Sequence, residues 1–464
     1  MFPKFINTQS FKHIFLILIK GRALERNLFT FRGSIWEIQF IFIVIYATFG
    51  EFTAQTLTNN GAFIKSEPGS FIRVNGSVEN NSSGVITVNG DGTAASAQVY
   101  VTEDITNNAT ITADGYIKLL RHWYNNNTFN YGLSTVFMEG GNQFLGGTVA
   151  TIFNNLTLDG TGVKTQQINK SAVGILDLKN LELNTDVFGF FMLNPSNTAI
   201  IRTSGSLTGG FVSSANGGYL SRATNSTSSY LFPVGSTANN SANTPGSGTT
   251  RYRPVDLTPI TTAATTYTVR MANVDATTET FDRNLIAPTI CATNPLFYHQ
   301  INRSSGTADA SVTVNFIESL DGNWQGLARW HINTPNLWEE IAGTTITAGT
   351  PFSQATKTSW NNFSATPYIL YNIKPSVIVA CADICSGSTT AVTATPVPTG
   401  TYTYSWTVPG AFSPNPGNVS TFNSGIGGTY TVVITDPITL CQSDPIDCTF
   451  VVTQNPSVLF LSPP

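Results

Sequence analysis

The groups that could do chemistry in this 464-residue chain are few: four histidines, five cysteines and 27 carboxylates. A metal or nucleophile site needs partners at short, characteristic spacings. His13 lies in an N-terminal leader-like segment, while His122 stands in Arg121-His122-Trp123-Tyr124, His299 in Phe297-Tyr298-His299-Gln300 and His331 in Arg329-Trp330-His331-Ile332. None has a second histidine or a carboxylate at metal-ligand spacing, and the sequence holds no Gly-x-Ser-x-Gly elbow. Packed or exposed structural histidines are the expectation. Paired carboxylates would serve a glycosidase or lyase, but Glu339 and Glu340 are adjacent and would point to opposite faces of a strand. Asp177 and Glu182 read as exposed polar alternation along strands. Asp436, Asp444 and Asp447 lack the Asp-x-Asp-x-Asp-Gly spacing of a calcium loop, so turn and capping roles are expected. The sequence therefore predicts no catalytic residue, no metal and no cofactor.

Binding chemistry has a stronger candidate. Trp123 and Tyr124 precede Asn125-Asn126-Asn127 in what reads as a polar turn, where the two rings could stack on a sugar or a partner. Trp324, Trp330, Trp338 and Trp360 form a second aromatic group, expected to fill a core. Cys381 and Cys385 open a C-terminal module that Cys441 and Cys448 close. Nested bridges Cys385 to Cys441 and Cys381 to Cys448 would tie its first strand to its last, with the crossed alternative left open. Intervening stretches of three and six residues suit zinc knuckles poorly. Cys291 remains without a partner and reads as a buried thiol.

The elements that must carry these residues are strands. Charged residues are 11% of the chain against roughly 25% in an average soluble protein. A formal net charge of -4, with no basic cluster interleaved with aromatics, excludes nucleic acid as a partner. Residues 1–54 carry Arg26 and Arg32 ahead of an apolar run from Phe40 to Phe49, the order of a secretory signal. At about ten residues that run is half the roughly 20 a membrane span needs. A membrane span is thus expected only if the leader stays uncleaved. The first 30 or so residues look like the product of a misassigned start.

No sustained apolar pattern of helical period follows, and β-branched runs bounded by Gly, Asn, Asp and Pro recur, so the predicted class is all-β. Over 55–210, short strands end in Asn-Gly or Asp-Gly turns, with apolar centres at Val99, Ile117, Phe137, Leu158, Leu178 and Ile201. A recurrence near 20 residues predicts a solenoid-like parallel β-helix. No strict motif is shared between its coils. Residues 211–375, richer in aromatics and proline, read as a β-sandwich, with Pro233 and Pro254 at strand ends and a surface loop over Thr237 to Thr250. Residues 376–455 hold two alternating strands, Tyr402 to Trp406 and Gly428 to Ile434, the pattern of an immunoglobulin-like sandwich with Trp406 between its sheets.

This last module resembles the PKD-like and immunoglobulin-like repeats of Bacteroidetes surface proteins, through Cys385-Ser386-Gly387, Tyr404-Ser405-Trp406, Gly428 to Val432 and Cys441. Gly217-Gly218-Tyr219-Leu220, Tyr230 to Ser236 and Tyr252-Arg253-Pro254 are similar to segments of proteins that carry gliding-motility-associated C-terminal domains. The resemblance covers roughly residues 130–450. It implies export by the type IX secretion machinery and an extracellular or outer-surface location. It also implies a non-catalytic adhesin or display protein that meets a glycan, a cell surface or a substratum. A carbohydrate-active enzyme on a β-helix is the alternative. Residues 456–464 read as the start of a further repeat, with no room for the family's sorting domain.

Overall fold

The computed structural model describes residues 55–203, 207–214, 216–237, 250–331, 336–364 and 367–454. The leader, the 456–464 tail and most of the Thr237–Thr250 loop lie outside the described residues. The fold is all-β, and its N-terminal part is a parallel solenoid with three faces.

The first face stacks eight strands, among them Leu57–Asn60, Val78–Asn81, Ile105–Asn107, Trp123–Asn125 and Gln143–Gly146, and ends at Phe211–Ser213. The third stacks seven, from Phe71–Val74 to Ile200–Ile201. Alternation fixes the inside of each coil, because successive side chains of a strand point to opposite faces. Thus Val101, Leu119, Val136, Met138, Leu156 and Leu158 are buried in one core. Five of the six apolar centres that suggested the coils lie in strands of the third face, and Leu178 directly follows Leu176–Asp177.

The coils do share a motif: an apolar residue, any residue, then two asparagines. It occurs as Leu57 to Asn60, Val78 to Asn81, Ile105 to Asn108 and Trp123 to Asn126. Its inner asparagines form a ladder, with Asn59 Nδ2 donating to Asn80 Oδ1 at 2.9 Å, Asn80 to Asn107 at 3.0 Å and Asn107 to Asn125 at 2.8 Å. Each inner side chain is buried at a corner where the backbone must leave one sheet for the next, and Asn59, Asn80 and Asn107 also donate to carbonyls there. Outside it, Asn108 and Asn126 build an exposed ladder onto Asn81.

The second face is interrupted. Phe63–Ser66, Val85–Val88, Thr110–Ala113 and Thr128–Asn130 form one parallel sheet, and Thr151–Phe153, Lys170–Ala172, Gly189–Met192 and Tyr219–Thr224 belong to another. The flanking faces run on across this break. Trp123 lies over Leu145 and Thr135 over Asn155, so the chain takes 12 positions to cross the upper coil and 10 to cross the lower.

Near residue 210 the stacking changes sense. Tyr219–Thr224 pairs parallel with Gly189–Met192 on one edge and antiparallel with Thr265–Ala272 on the other. The sheet continues through Tyr298–Ser305, Pro367–Ile373, Gly326–His331 and Leu337–Glu340. A second antiparallel sheet holds Val255–Pro259, Ala310–Phe316 and Ser353–Trp360, and one hydrophobic core runs from the solenoid into the space it shares with the first. Pro233 and Pro254 fall just outside strands. Trp330 and Trp338 are buried, while Trp324 and Trp360 pack partly buried against the core.

Past residue 375, three strands from Ser376–Ala380 to Thr421–Ser424 form one small sheet, and Thr403–Thr407, Gly428–Thr435 and Ile446–Phe450 form another. Trp406, Tyr430 and Val432 of the second share a core with Val377 and Val392 of the first.

Candidate functional site

The cysteines pair otherwise than expected. Cys381 is joined to Cys448, but Cys441 is joined to Cys291 across 150 residues, and Cys385 is a free, exposed thiol. The expected Cys385 to Cys441 bridge is therefore wrong, and Cys291 is no lone buried thiol. Cys441 sits in the turn after Gly428–Thr435, on the side of the module that meets the sandwich, where Lys374 also pairs with Asp444 at 2.6 Å. The bridge thus fastens one module to the next instead of closing a single one. Asp436 caps its own turn, accepting from Ile438 N at 2.8 Å.

Trp123 is also misplaced by the sequence reading. It is the inward residue of Trp123–Asn125, wholly buried, with its ring 5.0 Å from Phe129 and 5.7 Å from Phe153. Its Nε1 donates to Thr151 Oγ1 at 3.2 Å. Trp123 therefore fills the solenoid and cannot stack on a ligand. Asp177 and Glu182 are likewise buried rather than exposed: Lys179 Nζ lies 2.9 Å from Asp177, and Ser213 Oγ donates to Glu182.

Tyr124, one residue on, points outward. Its neighbours on the outer surface are His122, with ring centroids 5.8 Å apart, and Phe144, whose ring lies 4.8 Å from His122. Gly146 lies below Tyr124, and any Cβ there would strike the tyrosine ring at 2.7 Å, so the glycine lets the ring settle on the rung beneath. Phe144 N donates to His122 Nδ1 at 3.0 Å, which fixes that nitrogen as an acceptor. Burial pushes the His122 pKa below its ordinary value, partly opposed by Asp104. Burial also raises the Tyr124 hydroxyl. Arg121 flanks the rings and pairs with Glu103 at 2.6 Å. The result is a step of three aromatic rings with a charged margin, held on a parallel sheet. Phe144 escaped the sequence reading because only the register brings it beside His122, 22 residues away.

Neither protein-family models, nor curated proteins, nor solved structures match this chain.

His299 is buried and its Nε2 donates to Arg253 O at 2.9 Å, a structural role. Glu339 pairs with Arg329 at 3.3 Å while Glu340 accepts from the Tyr371 hydroxyl at 3.2 Å, so the adjacent carboxylates have separate partners. Among the described residues no group of three metal-ligating side chains occurs, and no helix is long and apolar enough to cross a membrane.

Proposed function

We propose that this chain is a non-catalytic surface protein, exported by a type IX-like route, that adheres through the flank of its solenoid to a glycan, a cell surface or a substratum. The aromatic step of His122, Tyr124 and Phe144 carries this reading. One exposed and two half-buried rings on a sheet offer flat apolar area and little entropy to lose, which suits the apolar faces of sugar rings. The continuity of the solenoid sheet with the sandwich sheet, and the Cys291–Cys441 bridge beyond it, favour a scaffold that holds such a surface under load. Two disulfides agree with an oxidising compartment. The Bacteroidetes resemblance and an immunoglobulin-like last module belong to the same proposal.

The test is a panel of immobilised polysaccharides, with both bound protein and released sugar measured. Saturable retention without product, lost in a Tyr124→Ala, Phe144→Ala double variant whose melting is unchanged, is the expected result. Turnover would instead favour a carbohydrate-active enzyme. Retention indifferent to both substitutions would remove the aromatic step as the binding surface.

A further inference from the structure

The aromatic step does not stand alone on its face. Above Tyr124 the parallel register stacks Thr106, Glu79 and Thr58, one to each coil and all turned outward. Beside that column runs the outer asparagine ladder. Asn126 Nδ2 donates to Asn108 Oδ1 and Asn108 Nδ2 to Asn81 Oδ1, both at 2.7 Å, and Thr148 N closes the lower end on Asn126 Oδ1 at 2.9 Å. These bonds orient the amides, and an amide nitrogen that donates once to the rung above keeps a second N–H. For Asn81, Asn108 and Asn126 that donor meets no acceptor among the described residues, and Asn108 is exposed while the other two are half-buried. Free donors therefore recur once per coil, about 4.7–4.9 Å apart, alongside the line that Tyr124 begins.

Charge and backbone pairing sort the ligands this lane can take. Glu79 is exposed in the column itself, and Arg121 at the margin already pairs with Glu103 at 2.6 Å and with Asp104 at 3.8 Å. One cation against three carboxylates repels a polyanion. An added peptide strand finds no edge either, because Val78–Asn81, Ile105–Asn107 and Trp123–Asn125 each have a paired strand on both sides. The chemistry that fits is a neutral polymer with hydroxyls at regular intervals and an apolar ring face. A β-linked chain of pyranose sugars has both, and each of its sugars advances by close to the height of one coil.

We infer that this face is a lane for a neutral, linear, β-linked glycan lying along the solenoid axis, with one sugar stacked on Tyr124 and the sugars beside it hydrogen-bonded, one per coil, by Asn126, Asn108 and Asn81. The inference rests on the proposed adhesion through the aromatic step, and adds to it the class of glycan, its direction and its length. The lane runs from Tyr124 up to Thr58, four coils in all, and so holds about four sugars. A glycan lying across the coils would meet His122 and Tyr124 and leave the ladder unused.

The probes are the β-1,4-linked oligosaccharides of glucose, mannose and xylose, two to six sugars long, titrated calorimetrically into the full chain. In at least one series affinity should rise with each added sugar up to about four and then level. Asn108→Ala should weaken the hexaose about fivefold, the worth of one neutral hydrogen bond, and the disaccharide by no more than about twofold, with melting unchanged. Polygalacturonate, a polyanion of similar spacing, should not be retained by the parent. Hexaose binding that Tyr124→Ala abolishes but Asn108→Ala leaves intact overturns the lane and leaves the aromatic step as the adhesive site. Hexaose binding indifferent to Tyr124→Ala overturns both. Equal affinity for disaccharide and hexaose, retention of polygalacturonate, or no binding in any of the three series also overturns the inference.

Discussion

The solenoid and the sandwich share one hydrophobic core, yet they keep polar groups inside it by opposite means. In the solenoid the buried polar groups mostly lack a counter-charge: the asparagine ladder, Glu182 beside Ser213, and two lysines whose partners are not carboxylates, with Asp177 beside Lys179 the exception. Lys164 donates to the carbonyls of Gly140, Gly141 and Thr161, and Lys170 to Gly146 O and Thr151 Oγ1. The sandwich pairs most of its buried charges, with Arg222 at the junction, which donates to the carbonyls of Ser196, Asn197 and Leu231, the exception. Arg253 clasps Asp321 with two bonds while Ile317 N donates to the same carboxylate, and Arg270 clasps Glu279. Stacked coils repeat the same atoms every rung, so an amide that is both donor and acceptor can propagate itself. Antiparallel strands of the sandwich join segments far apart in sequence, and there complementary charges select the partner.

Removing one member of each kind breaks the comparison most sharply. Asp321→Ala leaves the Arg253 guanidinium buried without its counter-charge, and a loss of about 3–5 kcal/mol in denaturant unfolding is expected. Trp123→Ala removes the largest ring inside the solenoid and should cost a similar amount, about 3–5 kcal/mol. Hydrogen exchange separates the two. The first variant should loosen Val255–Pro259 and Ala310–Phe316, and the second the rungs around Trp123.

Titration sharpens the contrast, because the two regions respond in different pH windows. Burial pushes His299 down to about 4. The unfolded chain then binds the proton first, so stability is complete above about pH 6.5 and falls as the pH drops toward 4, by roughly 3 kcal/mol in all. A His299→Gln variant should lose most of that acid slope in melting experiments. Lys170 is pushed down to about 7 by burial, with no carboxylate to oppose it. Its contribution is complete above about pH 10.5 and is lost as the pH falls toward 7, so Lys170→Met should flatten the alkaline part of the same curve.

What could be read from residues alone follows from how far each feature reaches along the chain. Strand alternation and coil recurrence are local, and they place the all-β class and the solenoid correctly. Alternation also separates Trp123 from Tyr124, by the same argument that parts Glu339 from Glu340; treating the two rings as one platform overlooked it. The ladder motif is present in the sequence, but its rungs are 21, 27 and 18 residues apart, because the loop between Val85–Val88 and Gln98–Val101 lengthens one coil. An uneven period hides a strict motif. Cys291 to Cys441 spans 150 residues and joins two units that look self-contained, so no local pattern points to it. The break in the second face is visible only once the strand pairings are known.

The smallest effect tests whether the ladder is a structural element or decoration. Asn107 accepts from Asn80, donates to Asn125 and donates to Thr128 O, all inside the protein. Truncation to alanine leaves Asn80 with its bonds to Thr110 O and Gly84 O but takes the donor from Asn125 Oδ1 and Thr128 O, and a buried acceptor left unpaired costs more than an ordinary hydrogen bond contributes, so a loss of about 1–3 kcal/mol is expected. Asn108, its neighbour in sequence, makes the same kind of bonds to Asn81 and Asn126 on the outer surface. Water can replace those bonds, and Asn108→Ala should stay within about 0.5 kcal/mol of the parent. Because each coil of a solenoid touches only its neighbours, the Asn107 variant should show faster exchange from Val78–Asn81 to Thr128–Asn130 and none in the sandwich. Equal costs for the two substitutions would mean that the inner amides gain nothing from burial, and the contrast between a ladder-built solenoid and a charge-paired sandwich would fail.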